Sequence, residues 1–336
     1  MRRLLTFDDV GLVPKFNRIA SRLNTTITTR LGRTDYKLPF IPANMDSVIG
    51  PDLANVCLTR NAPIIFHRFA PIAQQLAWLK QFPNAFMSIG LNSQTELSDL
   101  RNAGCRRFCI DIAHGHSEKM IDLIKDLKAA DPATEIIAGN VCTAYGVFDL
   151  AEAGADIIKV GVGPGAACTT RMMTGVGVPQ FSAVMDCAEA KQLLAANGLD
   201  IQLIADGGIK HPRDACLAIA AGADAVMMGS IFARTFESGT RKEERGGVIW
   251  GRYRGQASSE FMKEYFGGGE RTRQPEGVAF DVKITQSAND VFDLYEGGLR
   301  SSMTYLGAAD INEYRASAEF FEVTSSYMYE SNSRHN

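Results

Sequence analysis

Eight short apolar runs, each followed by a stretch of helical periodicity, constrain this chain more than anything else in it. They are LPFIPANM (38–45), PIIFHRF (63–69), AFMSIG (85–90), RFCIDIA (107–113), EIIAGNV (135–141), IIKVGVG (157–163), IQLIADGG (201–208) and AVMMGS (225–230). Their apolar character is nearly continuous rather than alternating, as in strands buried on both faces of a helix-covered parallel sheet. The segments between them, such as HSEKMIDLIKDLKAA (116–130) and HPRDACLAIAAGA (211–223), read as amphipathic helices. Gly104, Gly154 and Gly222 stand at helix-to-strand junctions, where a helix C-terminus favours a left-handed residue. Eight such units predict an α/β fold, a single (β/α)8 TIM barrel domain over residues 1–336. An open doubly wound sheet is the alternative, but no dinucleotide fingerprint opens the first βα turn.

A barrel places its chemistry at the C-terminal ends of the strands. There the sequence turns from apolar to glycine and polar: Asn44-Met45-Asp46, His67-Arg68, Gly90, His114-Gly115, Asn140, Gly161 to Arg171, Asp206-Gly207-Gly208 and Gly229-Ser230. Two connections are long, one after the sixth strand and one after the eighth. The second, 237–285, carries ESGTRKEERGG and FGGGERTRQPEG. Glycine and charge at a barrel mouth predict a mobile flap insertion; a disordered surface insertion is the plainer reading.

Several function classes are excluded by bulk properties. Net charge is −3 over 336 residues, so no basic field attracts nucleic acid or an anionic membrane. No apolar run has the length of a signal peptide core or a membrane span. The seven cysteines are odd in number and mostly sit in apolar segments, which predicts reduced thiols and a cytoplasmic protein. Cys105 and Cys109 have no second pair or nearby histidine to complete a zinc site.

The loop Gly161-Val-Gly-Pro-Gly165-Ala-Ala-Cys168-Thr-Thr170-Arg171 is the strongest candidate for chemistry. Its glycines let backbone approach a ligand, and its carbonyls could surround a monovalent cation. The spacing does not match a phosphate loop. Cys168 lies in a polar loop at the catalytic end, and Arg171 nearby favours its thiolate, so Cys168 is the candidate nucleophile. Amides of Gly207, Gly208, Gly229 and Ser230 lie where barrels commonly cradle phosphate. Asp206 is suited to a ribose diol, or else caps the next helix. His114 and His116 have no metal-ligand spacing and fit a cofactor contact as well as a structural role. His67 reads as structural.

These residues carry a resemblance. KVGVGPGAACTTRMMTGVGVPQ (159–180), with ADGGI, MMGS, LTFDDVGLVP near the start and GGLRSSMTYLGA near the end, resembles the IMP dehydrogenase/GMP reductase superfamily almost end to end. That resemblance implies a TIM barrel assembled as a homotetramer. No regulatory CBS insertion separates the second and third strands. Ala43-Asn44-Met45-Asp46 and His67-Arg68-Phe69 look like the reductases, as does Glu264-Tyr265 where the dehydrogenases carry Arg-Tyr. GVGVPQ and QPEGV look more like the dehydrogenases, and Ala257 stands where the family has a serine that contacts the nucleotide.

For the reductases the resemblance implies NADPH-dependent conversion of the purine nucleotide GMP to IMP and ammonia, within purine salvage. It implies Cys168 as nucleophile, Thr170 and Glu276 as proton relay, and Asp206 on ribose. Gly207, Gly208, Gly229 and Ser230 would hold phosphate, while Gly255, Gln256, Ala257, Arg273 and Gly277 would close over the base. Asp111, Ile112, Ala113, Val162 and Gly163 would meet the nicotinamide half of the cofactor. Ser301, Ser302, Met303 and Thr304 would line its site, with Ser21 and Arg22 reaching a neighbouring subunit's cofactor. A potassium (K+) site is implied at Gly163, Gly165, Cys168 and Arg171. Three alternatives stay open: an IMP dehydrogenase without the regulatory domain, a flavin-dependent barrel oxidoreductase, and a barrel that binds nucleotide without catalysis.

Overall fold

A computed structural model describes residues 2–267 and 274–331. Its centre is a sheet of eight parallel strands: β1 (Phe40–Pro42), β2 (Ile65–Phe66), β3 (Phe86–Ile89), β4 (Arg107–Asp111), β5 (Glu135–Val141), β6 (Ile157–Val160), β7 (Gln202–Asp206) and β8 (Ala225–Met228). All eight fall within the runs expected from sequence. The hydrogen-bonded order is β1-β8-β7-β6-β5-β4-β3-β2. The first strand therefore pairs with the last, Ile41 opposite Met227, and the sheet curls into a nearly closed barrel.

Helices Pro51–Arg60, Ile72–Gln81, Gln94–Asn102, Glu118–Ala130, Ala144–Glu152, Gln180–Ala196, Pro212–Ala220 and Ala288–Leu306 follow the eight strands in turn. Strands β2, β3, β6 and β8 are buried at every position, which is why their sequences do not alternate. Each fully buried Val, Leu, Ile or Phe contributes about 1.5–3 kcal/mol of transfer free energy. Gly104, Gly154 and Gly222 all have positive φ, at 92°, 111° and 115°, the backbone that ends a helix before the next strand.

The N-terminal end of the barrel is closed by a hairpin, Thr29–Leu31 with Thr34–Tyr36. Beneath it Arg107, at the start of β4, pairs with Glu135 at the start of β5 and donates to the carbonyl of Asn84 and the Tyr36 hydroxyl. Val10–Leu12 pairs with Phe320–Glu322, so the two ends of the chain meet on the outside of the barrel.

The charged 237–285 stretch contains a three-stranded antiparallel sheet, β9 (Lys242–Arg245), β10 (Val248–Arg254) and β11 (Ala279–Lys283), and a helix, Ser259–Phe266. Its charges answer one another across the sheet: Asp281 pairs with both Arg245 and Arg252, and Arg252 also with Glu260. The turn between β9 and β10 carries Gly246 and Gly247, both at positive φ. No helix among the described residues is long and apolar enough to cross a membrane.

Candidate active site

A cavity of about 760 Å3 opens at the C-terminal end of the barrel, between the strand ends and the flap. The sixth loop forms one wall. Gly161, which follows β6, has φ 153°, and a Cβ there would lie 2.1 Å from the carbonyl oxygen of Asp206. Only glycine lets the sixth and seventh strand ends come this close. Arg171 folds back beneath the loop, donating to the carbonyls of Val162 and Val178. Its own carbonyl accepts the Gly175 amide, so Arg171 braces the loop. Gly165 accepts the Cys168 amide at 3.0 Å. The carbonyls of Gly163 and Cys168 accept no hydrogen bond from the described residues.

Of the seven cysteines, Cys168 is the one exposed. Its sulfur lies 3.2 Å from the Thr170 hydroxyl. Burial drives the other thiols up: Cys105 to about 11, Cys109 and Cys216 to about 12. A thiol that ionises only with difficulty is a poor nucleophile. Burial also lowers the Arg171 pKa, against the attraction of Cys168 and Cys142.

The flap closes over Cys168 through a backbone ladder. Thr169 N donates to Glu276 O at 2.8 Å, Val278 N to Ala167 O at 2.9 Å, Glu276 N to Ala257 O at 3.1 Å and Gly255 N to Val278 O at 3.0 Å. A Cβ at Gly255 would sit 2.7 Å from Ala167 O, and one at Gly277 3.0 Å from it. Glycine at both positions is therefore what admits the contact. Glu276, Gln256 and Ala257 face the same cavity as Cys168 and Thr170, although Glu276 is more than 100 residues away in sequence.

Beneath the cavity floor lies a charge network that sequence reasoning did not find. Lys159, on β6, is 2% exposed. Its ammonium lies 3.0 Å from Asp111 and 3.0 Å from Asp206. Burial alone would lower its pKa, but Asp111 and Asp206 outweigh this and hold it raised. Asn44 donates to Asp111 at 2.9 Å and Asn140 to Asp206 at 2.9 Å. Both Asp111 oxygens are thus engaged, while Oδ1 of Asp206 has no hydrogen-bond partner among the described residues. A lysine inside an apolar run, IIKV, was the available signal, because an unpaired lysine is almost never fully buried.

The other expected residues divide by position. Ile112, Ala113, Gly163, Gly165, Gly207 and Gly277 line the cavity with Asp111 and Asp206. Gly208, Gly229, Ser230 and Val162 lie outside the lining. A Cβ at Gly229 would nonetheless be 2.5 Å from the hydroxyl of Tyr253, a buried residue that does line it. Tyr253 was not anticipated either; burial raises its pKa, so it stays a protonated donor. The structure does not bring Ser301, Ser302, Met303, Thr304, Ser21 or Arg22 to the cavity. Ser301–Thr304 belong to helix Ala288–Leu306, where Ser302 bonds the Tyr314 hydroxyl. The short helix Arg22–Asn24 packs on that same helix, so the two sets share one outer face of the barrel. Arg273 lies outside the described residues.

Comparison with known proteins agrees with this architecture. The profile of the IMP dehydrogenase / GMP reductase domain family matches residues 4–335. GMP reductase 2 of Homo sapiens is 36% identical over 333 residues, covering 95% of this chain and 94% of its own. GMP reductase 1 of Homo sapiens is 36% identical over 334 residues, covering 95% of each. GMP reductase of Shewanella pealeana (strain ATCC 700345 / ANG-SQ1) is 35% identical over 333 residues, covering 95% and 94%.

Proposed function

This chain belongs to the IMP dehydrogenase / GMP reductase family, and within it we propose that it is an NADPH-dependent GMP reductase. The observation that carries the reading is the convergence of Cys168, Thr170 and Glu276 on one cavity with Asp206. The overall reaction is GMP + NADPH + 2 H+ → IMP + NADP+ + NH4+. The Cys168 thiolate adds to C2 of the guanine ring, and the 2-amino group leaves once protonated. The product of that step is a thioimidate between Cys168 and the purine. In this reading Thr170, hydrogen-bonded to Cys168, and Glu276, whose backbone carbonyl accepts the Thr169 amide, move the proton to the departing nitrogen. NADPH supplies the hydride that reduces C2. The thiolate is then expelled and IMP is released.

The nucleotide fits the residues present. Asp206 keeps one carboxylate oxygen for a ribose diol while Lys159 and Asn140 hold the other. The amides of Gly208, Gly229 and Ser230 donate to no described residue and suit a phosphate. The carbonyls of Gly163 and Cys168 suit a potassium ion, with Gly165 beside them. In this reading the face carrying Ser21, Arg22 and Ser301–Thr304 meets the cofactor across a subunit boundary of a homotetramer in the cytoplasm. Glu264 favours the reductase over the dehydrogenase, since a carboxylate paired with Arg254 and Arg241 does not supply the arginine of the dehydrogenases' water-activating Arg-Tyr pair.

The test is absorbance at 340 nm with potassium present, in two mixtures: GMP with NADPH, and IMP with NAD+. A GMP-dependent fall that Cys168→Ala abolishes is expected. A rise in the second mixture alone would transfer the assignment to the dehydrogenase.

A further inference from the structure

Arg254 is heavily engaged near the site, yet it does not line the cavity. It closes β10, one residue before Gly255-Gln256-Ala257, and is 5% exposed. On one side its guanidinium grips Asp46, which follows β1, through Nε at 3.0 Å and a second nitrogen. On the other it grips Glu264 of the flap helix, whose second oxygen is held by Arg241. Its Cζ lies 5.3 Å from the ring centroid of Phe261 and 5.6 Å from that of Tyr265. The barrel, the flap strand and the flap helix are thus joined at one guanidinium. A planar fork can meet two carboxylates at once, which an ammonium on a flexible stem does poorly.

The consequence runs into the site along the backbone. Gln256 donates to the carbonyl of Asn44 at 2.9 Å, the next rung beyond the Arg254–Asp46 contact. Ala257 then accepts the Glu276 amide, and Glu276 accepts that of Thr169. The flap helix presents Met262 and Phe266 to the 760 Å3 cavity. On its other side Glu260 and Tyr265 border a separate cavity of about 240 Å3. Packing is therefore incomplete on that side. Phe261, fully buried against Phe69, seats the helix, and the charge contacts fix its rotation.

We infer that Arg254 is a positioning residue, a latch that holds the flap against the barrel so that Ala257 and Glu276 stand at Cys168. The inference rests on reading this cavity as the reductase site, and the test separates the two. Arg254→Met, Arg254→Lys and Glu264→Gln would be compared with the parent in two assays: GMP-dependent NADPH oxidation, and alkylation of Cys168 by iodoacetamide without nucleotide, followed by peptide mass.

The latch predicts at least 5-fold faster Cys168 alkylation in Arg254→Met, because the strand bridged to Cys168 through Gly277 is released. It also predicts a kcat at least 10-fold lower with KM for NADPH within about 2-fold, a partial return in Arg254→Lys, and an intermediate loss in Glu264→Gln. A folded Arg254→Met with parental alkylation and kcat overturns the inference. Should Arg254→Met fail to fold, parental alkylation and kcat in both Glu264→Gln and Arg254→Lys overturn it equally. A parent protein that does not oxidise NADPH with GMP refutes the reductase reading alone, since the alkylation rates still decide the latch.

Discussion

Replacing Lys159 by Met tests whether the buried ammonium holds the cavity floor together. The side chain is nearly volume-neutral, but Asp111 and Asp206 lose the cation 3.0 Å from each. Removing one partner of a buried ion pair costs about 3–5 kcal/mol. At about 2.1 cal/mol/K per residue, 336 residues melt with an entropy of about 0.7 kcal/mol/K. The expected fall in Tm is then about 4–7 °C at neutral pH. The pH dependence carries the sharper sign. In the parent protein the Lys159 pKa is raised. Its contribution is therefore fully present below the unfolded value of about 10.5 and is lost only as pH rises through the folded value. Between pH 5.5 and 8 it is constant. In Lys159→Met the two carboxylates repel in a half-buried site, so one gains a proton on acidification and stability returns. Differential scanning calorimetry of both proteins at pH 8 and pH 5.5 reads this directly. The Tm deficit should be larger at pH 8. A deficit equal at both values, or no deficit, would refute the argument that Lys159 is held by two ionised carboxylates.

Arg107→Leu removes the cation at the opposite end of the barrel, where it pairs with Glu135; it should lower stability by about 3–5 kcal/mol and leave kcat/KM of the folded fraction unchanged in steady-state kinetics. His67 is buried and held at about 4, chiefly by desolvation, so the folded state binds fewer protons than the unfolded one between about 4 and 6.5. Its contribution is complete above about pH 6.5 and is lost as pH falls toward 4, by about 3 kcal/mol in all; His67→Gln should flatten that acid limb in urea melts. Ala257→Ser adds a hydroxyl to the cavity wall, and one net hydrogen bond of about 0.5–1.5 kcal/mol should lower KM for GMP about 2- to 12-fold, whereas an unchanged KM would place the base elsewhere.

The strand count was legible because burial on both faces leaves its mark on every residue of a strand. AVMM is apolar throughout and IIKV is apolar but for Lys159, as interior parallel strands are. Cys168 was legible for the converse reason: it is the cysteine set among glycine, threonine and arginine rather than among apolar neighbours. Ser21, Arg22 and Ser301–Thr304 were legible only through resemblance, and within one chain they stand on an outer face away from the cavity. Arg171 shows the limit of proximity in sequence, since its guanidinium turns to Val162 and Val178.

The sequence by itself determined the barrel, the end at which its chemistry lies and the family, because each depends on local periodicity or on contiguous motifs. Only the tertiary structure decided that Lys159 joins Asp111 to Asp206, that Glu276 meets the loop of Cys168, and that Arg254 ties Asp46 to Glu264. Those residues come from different strands and from the flap, as much as 208 positions apart. Charges paired in three dimensions leave no period along the chain, and even a lysine set in an apolar run does not name its partners until the fold brings them together.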